Sequence, residues 1–383
     1  MHSSNNSTRK IRILHLLTST AGGLGQSVLT LLEQLDASRY ELVIAFGPGY
    51  PLDQEFQKTG YRVVVLRFER WLKAKNVLGF FDLCRFLRKE RFDIIHVHGG
   101  NEVGILGRIA AALFSRAHLI YSLHGTPTVD RLALPIRAVI RGFDLVLDRV
   151  TDRYIAVSRH IAQRYLDKGI GRGRMTVIHH GIPIYSEEPQ GEVKDLRKEL
   201  GLAGNVKLIG TIGLLEERKG IEYLLQAVPE VVRQLPDCRF LIIGAGPLLD
   251  SLRALSESLG VTESVLFLGW RDDAKQLIDS FDVLCHPALS EPFGLVLLEA
   301  MVHYKPVVAS AVQGIPEVVA DGETGILIPS RDPAAISLAL LKILNSPDWA
   351  AQLGNNGHRR VVEHFSLSHM AQQYEAVYRQ LTA

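Results

Sequence analysis

Phe281-Asp282-Val283-Leu284-Cys285-His286, followed by Glu291-Pro292-Phe293-Gly294-Leu295-Val296-Leu297-Leu298-Glu299-Ala300-Met301-Val302, reads as a buried strand, a turn and a helix. The first run is short, apolar and bounded by turn signals, as in a parallel strand covered on both faces. The second becomes helical from Gly294, with Leu295, Leu298 and Val302 expected to face a sheet. Glu291 then lies on the turn and Glu299 about one and a half turns into the helix. Two carboxylates bracket one helix N-terminus, whose first N–H groups, those of Phe293, Gly294 and Leu295, suit a phosphate.

The same alternation runs through the chain. Expected strands are 12–17, 41–46, 62–66, 93–98, 117–123, 153–157 and 176–179, then 206–213, 238–244, 265–268, 281–286, 306–309 and 324–328. Helical patterns separate them, which is the signature of parallel sheets with crossover helices. A Pro-, Gly- and charge-rich stretch at 181–191 reads as a linker between two doubly wound α/β domains, 1–180 and 192–365. Such domains are expected to face each other across a cleft lined by the carboxyl ends of their strands.

The 383 residues, 47% hydrophobic and 22% charged, supply ample core for two domains. The start up to Lys10 is polar, and Ile11 to Leu17 is too short for a signal peptide or a membrane span. Cys84, Cys238 and Cys285 form no CxxC pair and sit in apolar patterns, so buried free thiols in a reducing cytoplasm are expected. The net charge of +2 hides an asymmetry: residues 1–185 hold 26 basic against 15 acidic side chains. A basic front half asks for an anionic partner.

Several further loops carry candidate chemistry. Thr20-Ala21-Gly22-Gly23-Leu24-Gly25 follows the first strand, yet it is not GxGxxG, and Phe46-Gly47 rather than an acid ends the second. That argues against a nicotinamide dehydrogenase. Gly213-Leu214-Leu215-Glu216-Glu217-Arg218-Lys219-Gly220 leaves a strand and opens a helix, so Arg218 and Lys219 can neutralise a diphosphate or pair with Glu216 and Glu217. His124 is driven out of the fifth strand by Gly125 and Pro127. His96 and His98 share a strand face, but no third ligand at a recognisable spacing supports zinc.

In order and spacing, Glu291 to Glu299, Pro306-Val307-Val308-Ala309-Ser310, Gly314-Ile315-Pro316-Glu317 and Asp321-Gly322-Glu323-Thr324-Gly325 resemble the retaining GT-B glycosyltransferases of family 4. Gly22-Gly23, Asp93 to His98, His124-Gly125 and Ala156-Val157-Ser158 extend the resemblance over nearly the whole chain. It implies that Glu299 holds the donor ribose, that Glu291 and His124 orient the sugar, and that Lys219 and Arg218 stabilise the leaving diphosphate. Gly22, Gly23, Gly213, Gly244, Gly246, Trp270, Phe293, Gly294 and Leu295 would complete the donor pocket; plain tight turns are the alternative at the glycines. The family commonly has Arg after Gly213, where this chain has Leu214. A final helix, 366–381, is implied to cross back onto the first domain.

The expectation is thus a cytoplasmic, metal-independent, retaining hexosyltransferase without a cofactor, taking a nucleoside diphosphate sugar, UDP favoured. Its acceptor is expected to be a saccharide, first of all one linked to polyprenyl diphosphate in cell-surface polysaccharide synthesis, and not a nucleic acid. Residues 131–149, apolar with Arg131, Arg137, Arg141 and Arg149 among them, suggest peripheral contact with an anionic membrane, with a plain core-facing helix as the alternative. A sugar-nucleotide epimerase of the same fold, or an idle nucleotide-binding subunit favoured by Leu214, are the rival readings.

Overall fold

The computed structural model describes residues 9–20, 22–49, 52–68, 75–99, 102–125, 134–184 and 195–383. It divides into two compact units, Met1–Gly181 with Leu367–Ala383, and Ile182–Ser366. The stretch 185–194, which holds most of the linker expected from the sequence, lies outside the described residues.

Among the described residues the first unit holds seven strands: β1 (Ile11–Leu17), β2 (Tyr40–Phe46), β3 (Arg62–Val65), β4 (Ile94–His98), β5 (His118–Leu123), β6 (Arg153–Ala156) and β7 (Met175–Val177). The second holds β8 (Lys207–Ile212), β9 (Cys238–Ile243), β10 (Val265–Gly269), β11 (Val283–His286), β12 (Val307–Ser310) and β13 (Gly325–Ile328). All pairings within the two sheets are parallel. The spatial orders are β3-β2-β1-β4-β5-β6-β7 and β10-β9-β8-β11-β12-β13. Each unit is a Rossmann-like α/β sheet whose order reverses once, between β1 and β4 or between β8 and β11. Ligands of such sheets sit beyond the carboxyl ends of the strands at that reversal.

The sheet of the first unit buries Ile13, Leu17, Ile44, Ile94, Ile120 and Ile155 on one face. The helix Leu367–Thr382 covers this face because Met370, Ala371, Tyr374, Val377 and Tyr378 recur at helical spacing and are all buried there. In the second unit, Leu224, Val228 and Val231 of the helix Ile221–Gln234 share a core with Phe240, Ile242, Val283 and Val308.

Two local expectations are corrected. The helix after β11 begins at Leu295, with Gly294 as its left-handed cap at φ 99°. Leu295 is only partly buried; the buried positions are Leu297, Leu298, Ala300, Met301 and Val302. So short and apolar a helix is enclosed on most sides and has no narrow sheet-facing stripe. The segment after Gly213 does not run straight into a helix either. Glu217–Lys219 form a single 3-10 turn, and Gly220, left-handed at φ 63°, starts Ile221–Gln234.

Candidate functional site

In the second unit, the turn after β8 and the loop after β11 are built against each other. The N–H groups of Leu289 and Ser290 donate to the carbonyl of Arg218, at 2.8 and 3.2 Å. A Cβ on Gly220 would stand 2.1 Å from the Pro287 carbonyl oxygen, so only glycine lets the two segments approach this closely. That approach decides where Lys219 points. Its Nζ donates to Glu291 Oε2 at 2.6 Å, and both side chains are only 12% exposed. His286 Nε2 lies 3.2 Å from the same oxygen, and Arg218 Nη1 is 3.7 Å away.

Burial alone would raise the Glu291 pKa, but the His286 hydrogen bond and the Lys219 charge overcome it and hold the carboxyl far below its usual range. Burial lowers the His286 pKa, with Glu291 opposing. The cluster is a buried carboxylate neutralised by one ammonium, with an imidazole that orients it. Arg218 also makes the alternative pairing with Glu216, at 2.6 Å, whereas Lys219 turns inward to Glu291. Leu214, where the family commonly carries Arg, is 46% exposed.

Glu299, on the helix Leu295–Val302, meets Lys275 Nζ at 3.0 Å, and both line a small depression with Ile182, Pro183, Val302 and His303. Trp270 is 65% exposed, its indole N–H donating to Asp272 at 2.9 Å. Gly244 and Gly246 answer to their own chain. A Cβ on Gly244 would fall 1.9 Å from the Gly213 carbonyl oxygen, and one on Gly246 would fall 2.4 Å from that of Leu215. Their absence of side chains is explained by loop-on-loop packing. Phe293 is buried against Phe365, with ring centroids 5.9 Å apart.

Sequence reasoning missed His286 and Gln313. The histidine looked like the end of a strand, although its spacing of five from Glu291 was a usable signal. Gln313 adopts a left-handed φ of 47° and donates to Ser290 Oγ at 2.8 Å, which no local pattern announces.

In the first unit, the loop after β1 is pinned by Thr20 Oγ1 donating to Asp53 at 2.6 Å. Gly22 and Gly23 are exposed at the start of the helix Gly22–Gln34, and a Cβ on Gly22 would meet nothing within 4 Å. The close approach belongs to Gly25, whose Cβ would lie 1.9 Å from the Thr20 carbonyl oxygen. His124 is the first residue beyond β5, its ring stacked on His180 at 5.4 Å. Burial lowers its pKa to about 4.

His96 and His98 have the third partner that spacing alone concealed. The β1–β4 register sets His15 opposite His96, so His15, His96 and His98 crowd one buried sheet face. Their ligand nitrogens lie within 4.8 Å of one another, a spacing that a metal could use. Their chemistry favours hydrogen bonding instead. His96 already engages Tyr378 Oη at 2.8 Å and Ser122 Oγ at 2.7 Å, and the trio contains no anion to balance a buried dication.

Comparison with known proteins assigns the chain. The model for glycosyl transferases group 1 matches residues 192–360, and that for Glycosyltransferase Family 4 matches 21–184. The chain is 33% identical to the phosphatidyl-myo-inositol mannosyltransferase of Mycobacterium leprae over 68% of its own length and 67% of that protein.

The chain belongs to glycosyltransferase family 4.

Other members of this family are similar to it. An Escherichia coli UDP-Gal:alpha-D-GlcNAc-diphosphoundecaprenol alpha-1,3-galactosyltransferase is 26% identical over 87% of the chain and 88% of that protein. An uncharacterized glycosyltransferase of Methanocaldococcus jannaschii is 34% identical over 211 residues, and the match spans 54% of each protein. The fold is that of Anabaena HepE crystallised with UDP, with a TM-score of 0.83 and 22% identity over 97% of this chain and all of that one. The architecture is therefore GT-B.

Proposed function

We propose that this chain moves a hexose from a UDP sugar to an acceptor with retention of configuration and without a metal ion. The observation that carries the reading is the Lys219–Glu291–His286 cluster, placed where the strand order of the second unit reverses. Lys219 and Arg218 supply positive charge for a departing diphosphate, together with the N-terminus of the helix that starts at Leu295. Glu291, ionised and oriented by His286, accepts hydrogen bonds from sugar hydroxyls. Glu299 takes the ribose diol once it leaves Lys275. His124 is assigned a hydrogen bond to a sugar hydroxyl. A phosphate oxygen of the leaving group is the base proposed for the acceptor, as the family resemblance implies.

The acceptor we favour is a saccharide on polyprenyl diphosphate, the substrate named for the Escherichia coli relative. A membrane surface supports that choice. No helix of the described residues is long and apolar enough to cross a bilayer. Phe143, Val146 and Val150, on and just beyond the helix Leu134–Asp148, are nevertheless exposed beside Arg141 and Arg149. Val77, Leu78 and Phe81 are likewise exposed on the helix Lys75–Lys89, which carries Arg85, Arg88 and Lys89. Exposed apolar side chains on helices that also carry cations suit an anionic leaflet.

The test begins with thermal stabilisation of the chain by UDP, GDP and ADP sugars. Incubation with donor alone then separates the classes: an epimerase returns an epimerised sugar, a transferase hydrolyses slowly, and an idle subunit changes nothing. With acceptor present, NMR of the product reports its anomeric configuration, and a chelator tests the independence from metal. Glu291→Gln and His124→Ala should lower turnover while leaving UDP affinity nearly intact. Equal loss of UDP affinity would move both residues to the nucleotide.

A further inference from the structure

Three histidines form one hydrogen-bonded line. His15 Nδ1 lies 3.0 Å from His98 Nε2, and His98 Nδ1 lies 3.3 Å from His124 Nε2. Of the six ring nitrogens, these contacts use four. The two left over, His15 Nε2 and His124 Nδ1, are both buried and have no hydrogen-bond partner. They are the two ends of the line.

A neutral imidazole has one N–H and one lone pair, so each contact in the line must run the same way. In one direction, His15 Nδ1–H donates to His98, His98 Nδ1–H donates to His124, and His124 presents Nδ1–H. In the other, every proton moves to Nε2, and the orphan donor is His15. A buried N–H without an acceptor is costlier and rarer than a buried lone pair without a donor. His15 sits deep in the first unit, its ring 6.4 Å from that of Tyr378 beneath the C-terminal helix. His124 sits beyond the carboxyl end of β5, the end at which such sheets take ligands. The first direction leaves only a lone pair in the core and puts the unmatched donor where a ligand oxygen can satisfy it.

We propose that His98 and His15 are positioning residues that fix His124 as the Nδ1–H tautomer, so that it donates to an oxygen of the sugar. The proposal rests on the role assigned to His124 above. It adds that the donor is set by buried imidazoles from β1 and β4. Burial keeps the line neutral: it lowers the His15 pKa to about 3 and the His124 pKa to about 4, and it pushes His98 well below the normal range.

The tautomers can be read directly by NMR of the full-length chain labelled with 15N-histidine, at neutral pH and without substrate. The expected spectrum has the proton on Nδ1 of His15, His98 and His124. An Nε2–H His124 in the native chain overturns the proposal, as does one equivalent of tightly held zinc on these nitrogens. In His98→Phe, His124 should revert to Nε2–H, and kcat should fall about tenfold, the worth of one hydrogen bond, with UDP affinity unchanged. A folded His98→Phe that keeps Nδ1–H at His124 also overturns it. At the far end, His15→Gln can still donate to His98 and should keep both tautomer and turnover, whereas His15→Met offers His98 only a thioether acceptor, which draws the His98 proton to Nε2, and should lose both; equal behaviour of the two variants counts against the relay. Because the spectrum needs no substrate, the relay stands or falls separately from the activity.

Discussion

Lys219 Nζ and Glu291 Oε2 stand 2.6 Å apart although 72 residues separate them, and both side chains are nearly buried. Removing one partner of such a pair leaves an uncompensated charge, at a typical cost of about 3 kcal/mol or more. Lys219→Met should therefore lower the stability of the chain in urea by roughly that amount, and Lys219→Met with Glu291→Gln should recover most of it. The pair also has a pH signature. The Glu291 pKa is depressed in the folded chain, so its contribution is complete above the unfolded carboxyl range and is lost progressively as pH falls from there through the lower folded value. In Lys219→Met that loss should be smaller and should end at higher pH. Identical acid profiles would show that the pair does not control Glu291.

Glu299 and Lys275 compete with the donor in a different way. Glu299→Ala should weaken UDP binding by about 1.5 to 3 kcal/mol, the usual worth of hydrogen bonds to a charged group. Lys275 is half-exposed, so its bond to Glu299 is weak. Lys275→Ala should free the carboxylate and tighten UDP binding, by no more than about fivefold. Calorimetry showing unchanged affinity in both variants would remove Glu299 from the ribose.

Arg218 is proposed to supply the charge that Leu214 does not. Arg218→Ala should reduce transfer far more in the native chain than in a Leu214→Arg background, where the usual family cation is restored. Equal losses in the two backgrounds would show that the positions act independently.

The buried histidines make the first unit sensitive to acid. His15, His96, His98 and His124 all have pKa values lowered by burial, so the unfolded chain binds protons that the folded chain refuses. Their stabilising contribution is complete above the unfolded histidine pKa, about 6.5, and is lost as pH falls from there toward the folded values near 3 to 4. Each can contribute up to about 1.4 kcal/mol per pH unit in that window. Denaturant titrations between pH 7 and pH 4.5 should show a steep loss, made shallower in His15→Gln. A flat profile would mean that these rings already take up protons in the folded chain.

Vesicle binding tests the exposed apolar surface of the first unit. Anionic vesicles should bind at 0.1 M salt and release at 1 M, as the Debye length falls from about 10 Å to about 3 Å. Phe143→Ser with Arg141→Glu and Arg149→Glu should abolish binding and activity on a lipid-linked acceptor while sparing slow donor hydrolysis. If the native chain ignores anionic vesicles at low salt, a water-soluble acceptor is the better assignment.

The thirteen strands and the order in which they alternate with helices were legible in the chain, because a strand buried on both faces writes itself as a short apolar run between turn residues. So were Glu291, Glu299 and Lys219 as candidates, from local spacing and family resemblance. The partners of those residues were not. Lys219 meets Glu291 because Gly220 lets two loops touch, and Glu299 meets Lys275 although the two come from separate elements. Gly244 and Gly246 were open to a ligand or a tight-turn reading, and the structure adds that their lack of side chains serves the packing of one loop on another. The clearest case is the histidine line. Sequence shows His96 and His98 as an isolated pair on one strand, and only the parallel register of β1 on β4 brings His15 against them. Local periodicity determines which segments are strands and helices, since it depends on backbone geometry within a few residues. Which side chains share a charge or a proton depends on strand register and loop contact across long separations, and that was decided only by the tertiary structure.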